Sequence, residues 1–290
     1  MAKYIMRKIG PWAKIIKNSK KFFVMSRSVA PNRDEIFTVA TFNVRGDFDP
    51  TPNTWEERLP RCRALLQQID ADLVGLQEPL IHQIESLIRD SDYAFIGGGR
   101  NDFKREGEFS CILYRKSRFE PPVNGTFGLS EKPDVPGYRS WGSGWGRIVT
   151  WGLFRDRCTG REFIYYNTHL DNESEEARRE GIKMVVAHAG EHAAGKPVIL
   201  SGDFNAFPDS ETYKTAAALL RDTRCVSETV HGGPKRSFHG FGKRADVVEP
   251  IDFIFVSLEF RVLSHRTDDT TFGGLYASDH YPLVVKMTLG

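Results

Sequence analysis

Short, strongly apolar runs separated by amphipathic stretches organise the chain from Phe37 onward. Runs of this length bounded by polar residues are typical of buried strands. They lie at Phe37 to Val44, Asp72 to Leu76, Cys111 to Tyr114, Ile148 to Phe154, Phe163 to Asn167, Val198 to Leu200, Ile251 to Val256 and Pro282 to Met287. We predict strands at these positions and loops at 231–245 and 264–278.

Between some of these runs, apolar residues recur every three to four positions, which indicates helices with one buried face. The pattern covers Trp55, Leu59, Cys62, Leu65, Leu66 and Ile69, and returns in Ile81 to Ile88 and Ile182 to Ala189. Strands outnumber helices, and many strands follow one another directly. Two packed sheets flanked by helices fit this order better than a doubly wound parallel sheet.

Length and composition favour one large domain. The 290 residues are 40% hydrophobic, which suffices for a two-layer core without disulfides or a structural metal. The four cysteines form no CxxC pair and no zinc-ligand spacing, so we expect reduced thiols.

Charge is unevenly distributed along the chain. Residues 1–33 contain nine Lys and Arg and no Asp or Glu, whereas the remainder has 31 basic and 38 acidic residues, a net charge of −7. Because phosphate contacts dominate nucleic-acid affinity, an acidic body favours short or small phosphorylated partners over a long nucleic-acid footprint. A small phosphodiester and a nucleic acid both stay open as partners.

The basic segment 1–33 precedes the first predicted strand, so we treat 34–290 as the catalytic domain. No apolar run in the segment exceeds four residues, which excludes a transmembrane span and a standard secretory signal there. An amphipathic first segment without acidic residues is typical of targeting sequences. A disordered basic tail explains the same composition equally well. We expect an intracellular protein, cytoplasmic or organellar, and a monomer.

Polar side chains cluster where the predicted strands end, which is where a rigid scaffold presents catalytic groups. They occur in the segments TFNVRGD, LVGLQEP, YYNTHLD, LSGDFNAFPDS, IDFIFVS and SDHYP. One Asp after a strand is usually a turn former or helix cap. Six such segments in one chain indicate a catalytic site.

This ordered set resembles the endonuclease/exonuclease/phosphatase (DNase I-like) superfamily, with GDFN and SDHYP as its most specific parts. The resemblance covers roughly residues 36–289. It implies a four-layered α/β sandwich of two mostly antiparallel sheets. It also implies a metal-dependent hydrolase that cleaves phosphate esters by in-line attack of an activated water. The residues after GDFN place the chain closest to the bacterial-type hydrolase and deadenylase-like branches.

The resemblance also implies roles for individual residues. Glu78, Asn43 and Asp279 would hold Mg²⁺, which Mn²⁺ could replace. Asp203 would orient or deprotonate the water, and Asn205 would stabilise negative charge on the phosphoryl group. Asp252 would orient His280, and Glu108 would orient His169. Arg147, Asn167 and Trp141 would bind substrate.

Two alternatives belong to other functional classes. His188, Glu191 and His192 form HAGEH, which matches the H-x-x-E-H pattern of a zinc-dependent peptidase. A binding module that keeps the fold without activity is the second alternative, although every expected polar position is retained.

Overall fold

The computed structural model describes residues 35–290, so the basic segment 1–33 lies outside the described residues and the expectations for it stay predictions. The strands in this range are β1 (Ile36–Asn43), β2 (Leu73–Gln77), β3 (Tyr93–Ile96), β4 (Ile112–Arg115), β5 (Phe119–Gly128), β6 (Ile148–Asp156), β7 (Glu162–His169), β8 (Val198–Asp203), β9 (Arg221–Asp222), β10 (Asp252–Val256), β11 (Phe260–Thr267) and β12 (Leu283–Leu289). The helices are α1 (Trp55–Ile69), α2 (Ile81–Ile88), α3 (Glu175–His192), α4 (Glu211–Ala217) and α5 (Thr223–Val226). Within 35–290, no helix combines the length and apolar character needed to cross a membrane.

The strands form two six-stranded sheets. The first has the order β11-β12-β1-β2-β4-β3 and the second β5-β6-β7-β8-β10-β9. Only β1 with β2 and β7 with β8 run parallel among the described neighbours. The predicted sandwich of mostly antiparallel sheets is confirmed.

Three apolar clusters define the four layers. Phe37, Val39, Phe163 and Val285 belong to the cluster between the sheets. A second cluster packs α1 and α2 on the outer face of the first sheet, and a third packs α3 and α4 on the second sheet. Strands buried on both faces need apolar residues at nearly every position, which explains the continuous runs in the sequence.

The strands that sequence patterns missed lie mainly at sheet edges. β5 is an edge strand that contains Pro121 and Pro122, and its pairing with β6 shifts register between Glu120 and Val123. Its half-exposed residues give no apolar run. β11, another edge strand, extends to Thr267, so the loop predicted from 264 begins too early.

Asn167 joins the two sheets through hydrogen bonds across the core. Its Nδ2 donates to the carbonyls of Leu76 and Cys111 at 2.8 and 2.9 Å. Its Oδ1 accepts from Gln77 Nε2 at 2.7 Å and from Ser201 Oγ at 2.9 Å. All hydrogen-bonding positions of this fully buried amide are therefore occupied. The prediction that Asn167 binds substrate is wrong, because the side chain points between the sheets.

We expect Asn167→Ala to lower the free energy of unfolding by about 3–5 kcal/mol, since it leaves several buried polar groups unpaired. Urea denaturation measures the change. Asn124→Ala, on exposed edge strand β5, is the matched control and should change stability by less than about 0.5 kcal/mol. Unchanged stability together with a raised KM would instead restore Asn167 as a substrate contact.

Candidate active site

The strand pairing of the second sheet brings three predicted site residues together. His169 lies opposite Asp203 at the ends of parallel strands β7 and β8. Asp252 begins β10 and lies opposite Asp203 on its other side. Asn43, at the end of β1 in the first sheet, donates from Nδ2 to Asp203 Oδ2 at 3.1 Å. The site therefore spans both sheets.

Asp203 Oδ2 is the focus of this cluster. Besides Asn43, it faces His169 Nε2 at 3.6 Å and His280 Nε2 at 3.7 Å. Oδ1 accepts from the Asn205 backbone N–H at 2.9 Å. Burial and the nearby Asp252 carboxylate raise the pKa of Asp203. A raised pKa makes this carboxylate a better proton acceptor near neutral pH.

Asp252 and His280 form a buried carboxylate–imidazole pair. His280 Nδ1 donates to Asp252 Oδ2 at 2.8 Å. Burial lowers the pKa of His280, but the carboxylates of Asp252, Asp203 and Asp279 outweigh it and raise the pKa to about 10. The raised pKa favours the protonated ring, whose Nε2 lies 3.7 Å from Asp203 Oδ2.

The pKa of His169 is shifted in the opposite direction to that of His280. Burial, followed by the positive charges of Arg147, His280 and Arg100, holds the pKa of His169 well below its usual range. Asn205 Nδ2 lies 3.0 Å from His169 Nε2. Because the neutral ring accepts this hydrogen bond, its proton is assigned to Nδ1.

The predicted pairing of Glu108 with His169 is wrong. Glu108 Oε2 instead accepts from Arg100 Nη1 at 2.7 Å, and no described hydrogen bond joins Glu108 to His169. Arg100 lies in the loop GGGRND, and nothing in that sequence indicates that it pairs with Glu108. An arginine eight residues away satisfies the carboxylate more directly than a neutral imidazole can.

The residues predicted to hold the metal ion adjoin Asp203. Asn43 Nδ2 donates to Glu78 Oε1 at 2.9 Å, and the Gly46 backbone N–H donates to Glu78 Oε2 at 3.1 Å. The Arg45 guanidinium faces the carboxylates of Glu78 and Asp279. Its Nη1 lies 4.0 Å from Glu78 Oε2 and 3.8 Å from Asp279 Oδ2.

The electrostatics of this group fit a divalent cation. Burial raises the pKa of Asp279, and the negative charge of Glu78 adds to the effect. The carboxylates of Glu78 and Asp279 are hard ligands of the kind that Mg²⁺ prefers, and the Asn43 amide oxygen, a third such ligand, accepts here from the Arg45 backbone N–H at 3.0 Å. Glu78, Asn43 and Asp279 are therefore the residues that could hold it.

Asp203, Asp252 and His280 also bring potential ligand atoms within 4.8 Å of one another. The hydrogen bond between Asp252 and His280 and the strand pairing of Asp252 with Asp203 already bring these residues together. His280 Nδ1 is already bonded to Asp252 Oδ2, so this nitrogen is not available to a metal ion. We assign this trio to proton chemistry.

Arg58 is a residue that sequence patterns missed. It lies on the buried face of α1, fully shielded from solvent. Its guanidinium donates to the carbonyls of Val44, Arg45 and Gly46, and more weakly to Ala277. These carbonyls flank Asn43 and Asp279 in the chain, so Arg58 fixes both segments of the candidate metal site.

A small cleft adjoins His169. Arg100, Glu108, Gly146, Arg147 and His169 are among its lining residues. Arg147 is held in place by Asp171 at 3.1 Å and Asn172 at 2.6 Å, and its Nη1 makes no described hydrogen bond with another residue.

Trp145 packs against Arg100, a lining residue of the cleft, although Trp145 itself does not line it. The Arg100 guanidinium lies 4.8 Å from the centre of the Trp145 indole. Trp141 is not among the lining residues, and its carbonyl accepts from Ser174 Oγ at the start of α3. A substrate contact by Trp141 stays a prediction.

The HAGEH motif lies on α3, away from any described metal cluster. Among residues 35–290, the one group of three or more candidate ligands is that of Asp203, Asp252 and His280. The His188 and His192 rings stack at 3.8 Å, and His188 Nδ1 is hydrogen-bonded to Tyr166. Burial and His192 lower the pKa of His188 to about 4. The geometry contradicts a zinc-peptidase site at this motif.

Comparisons with known proteins agree with the site. The sequence profile of the Endonuclease/Exonuclease/phosphatase family matches residues 40–280. The chain belongs to this family. A search of curated proteins gives no match.

Several solved structures are similar to this chain. An endonuclease/exonuclease/phosphatase from Bacteroides vulgatus is 34% identical, with a TM-score of 0.83, covering 88% of this chain and 99% of its own. The mannosyl-6-phosphatase of Bacteroides thetaiotaomicron is 30% identical, with a TM-score of 0.82, covering 87% and 100%. TDP2 of D. rerio, in complex with a single-strand DNA product, shares the fold at 18% identity and a TM-score of 0.70, covering 87% and 99%. The family match and the mannosyl-6-phosphatase structure support phosphoester hydrolysis as the chemistry of this protein, and the TDP2 structure shows the fold alone.

We expect Asp252→Asn and His280→Ala each to lower kcat for phosphate-ester hydrolysis by at least about a hundredfold, since both disrupt one imidazolium. The double variant should be little worse than the worse single variant, because the two residues act as a unit. His192→Ala, which removes an imidazole of the helix α3 pair, should leave kcat near wild type. Additive losses in the double variant would show that Asp252 and His280 act separately.

Proposed function

We propose that the protein is a Mg²⁺-dependent phosphoesterase that hydrolyses a phosphate ester by in-line attack of water. The convergence of Asn43, His169 and His280 on one carboxylate oxygen of Asp203, beside an oxygen-rich ligand group, carries this proposal. Few other arrangements need a proton acceptor, an imidazolium and hard metal ligands within one buried cluster.

Asp203 supplies the proton acceptor. Its raised pKa and its buried position let Oδ2 accept a proton from water as the water attacks phosphorus. Asn43 Nδ2 orients the carboxylate from the side of the first sheet. Removing the carboxylate charge would leave the water without a base in the described site.

His280 and Asn205 stabilise the negative charge that builds on the phosphoryl oxygens. The imidazolium donates from Nε2, while Asp252 holds Nδ1 and keeps the ring charged and oriented. Asn205 supplies an amide N–H that is hydrogen-bonded to neutral His169 until substrate enters. The His280 donor, fixed by Asp252, stabilises a transition state without reorganising, whereas Asn205 first releases its hydrogen bond to His169.

Glu78, Asn43 and Asp279 would hold Mg²⁺ or Mn²⁺, and the bound ion would neutralise charge on the phosphoryl group and leaving oxygen. The protein contributes a preformed ligand group fixed by Arg58 and by the Gly46 N–H. Arg147 Nη1, at the wall of the cleft, would bind a non-reacting phosphate oxygen.

A small phosphate monoester is the substrate that we favour. The acidic body, with its net charge of −7, opposes a long nucleic-acid footprint. The mannosyl-6-phosphatase that resembles this chain acts on a compact phosphate ester, as its name states.

Activity on a phosphate ester should require Mg²⁺ or Mn²⁺ and be lost with EDTA, because the proposed ligands are all hard oxygens. Thermal unfolding should persist in EDTA, since the core is complete without the ion. Asp203→Asn should lower kcat by at least about a hundredfold with Mg²⁺ present.

Asp246→Asn is the matched control, because this exposed carboxylate pairs with Arg244 only and should leave kcat unchanged. Full turnover in EDTA would disprove the metal requirement. Folded protein that binds phosphate esters without hydrolysing any, with either metal ion, would establish the inactive binding module instead.

A further inference from the structure

We infer that Ser237 is a positioning residue for the Asp252–His280 pair, because it holds the Asp252 backbone where the carboxylate meets the imidazole. This inference rests on the proposed function, since the pair serves the catalysis described above. Ser237 lies in the loop between α5 and β10. No catalytic step described above assigns it a role.

The side chain of Ser237 holds the start of β10. Its Oγ accepts from the backbone N–H groups of Ile251 and Asp252, both at 3.0 Å, and the residue is fully shielded from solvent. Two donors that converge on one hydroxyl oxygen use both of its lone pairs. Removing Oγ would therefore leave two backbone donors without their partner, and one of them belongs to Asp252.

Ser237 replaces a neighbouring strand at this end of β10. On one side, β10 pairs with β8 along its whole length, and Asp252 lies opposite Asp203. On the other side, the short strand β9 pairs only with Phe255 and Val256. The Asp252 N–H lies beyond the reach of β9, so the Ser237 hydroxyl supplies the acceptor that the strand does not.

The backbone of Ser237 holds the other half of the pair. Its carbonyl accepts from the Tyr281 N–H at 2.7 Å. The next residue, Phe238, forms an antiparallel bridge with His280, and the two rings lie 4.9 Å apart. Ser237 thus joins the Asp252 segment through its side chain and the His280 segment through its backbone. Substitution of the side chain releases only the Asp252 segment.

The Asp252 carboxylate depends on this support because it has few contacts of its own. Oδ2 accepts from His280 Nδ1 at 2.8 Å, whereas Oδ1 is buried without a hydrogen-bond partner among the described residues. A carboxylate held at one oxygen is free to turn about that contact. The backbone position of Asp252 therefore decides how well the carboxylate orients the imidazole.

Ser257 provides a matched control at the opposite end of the same two strands. Its Oγ accepts from the Val198 N–H at 2.9 Å, where β8 begins and β10 has ended. A serine that only anchors the backbone in this way contributes to stability and does not affect turnover by folded protein. Ser257→Ala removes the same kind of hydrogen bond as Ser237→Ala without touching Asp252.

With Mg²⁺ and p-nitrophenyl phosphate, Ser237→Ala should lower kcat at least about tenfold and leave KM within about twofold of wild type, since the imidazole is misplaced while substrate contacts stay intact. Ser257→Ala should leave both constants near wild type. Ser237→Thr, which keeps the hydroxyl, should retain most of kcat. If the alanine variant does not fold, Ser237→Cys, whose sulfur is a weak acceptor, should show the same loss.

A double-mutant cycle separates this role from a general effect on the site. In the Asp252→Asn background, Ser237→Ala should lower kcat by less than about twofold, because the pair that it positions is already broken. A loss that adds in full to that of Asp252→Asn would overturn the inference.

Proton NMR tests the positioning without turnover. The Nδ1 proton that His280 donates to Asp252 should give a low-field signal in wild type, and Asp252→Asn should remove it. Ser237→Ala should shift this signal upfield or broaden it through exchange with water, whereas Ser257→Ala should not change it.

A kcat and a low-field signal that Ser237→Ala leaves unchanged would overturn the inference. Wild-type protein that hydrolyses no phosphate ester, with the low-field signal lost in Ser237→Ala and kept in Ser257→Ala, would instead refute the proposed function and keep the positioning role.

Discussion

The hydrogen bond from Asn43 to Asp203 joins the two halves of the site across the sandwich, and the remaining geometry depends on it. Asn43 ends a strand of the first sheet and Asp203 ends a strand of the second. Ligand groups come mainly from the first sheet and its loops, while the proton acceptor comes from the second. A small change in sheet separation would therefore pull the water-activating carboxylate away from the ligand group. The polar contacts of Asn167 between the sheets oppose such a change, deeper in the same core.

Local backbone strain accompanies this arrangement. Glu78 and Asn205 have φ values of 69° and 46°, in the left-handed region that residues with side chains rarely occupy. This conformation costs roughly 1–3 kcal/mol at Glu78 and less at Asn205, because Asn adopts it more readily, and the surrounding contacts must offset the cost. Arg58 and the Gly46 N–H supply such contacts around Glu78, and the Leu170 carbonyl and Asp203 supply them around Asn205. Strain at these two residues directs both side chains into the site.

Sequence patterns predicted the layers and most of the site because both depend on local signals. Buried strands have continuous apolar runs, and the polar residues at their ends are close together wherever neighbouring strands end at one edge. Pairings between loops have no such signal, which is why the Arg100 partner of Glu108 was missed. Asn167 was misassigned because it shares a strand face with His169, and burial along that face increases away from the strand end. The catalytic roles predicted for the residues at these strand ends stay proposals.

Edge strand β5 has a consequence for how this fold behaves in a crowded solution. An unpaired strand edge is a template for sheet extension by another chain, and aggregation starts there. Pro121 and Pro122 lack backbone donors, which leaves this strand with fewer groups for pairing, and the register shift between Glu120 and Val123 bends the strand. The same features that hid β5 from pattern analysis thus protect the second sheet against intermolecular strand addition.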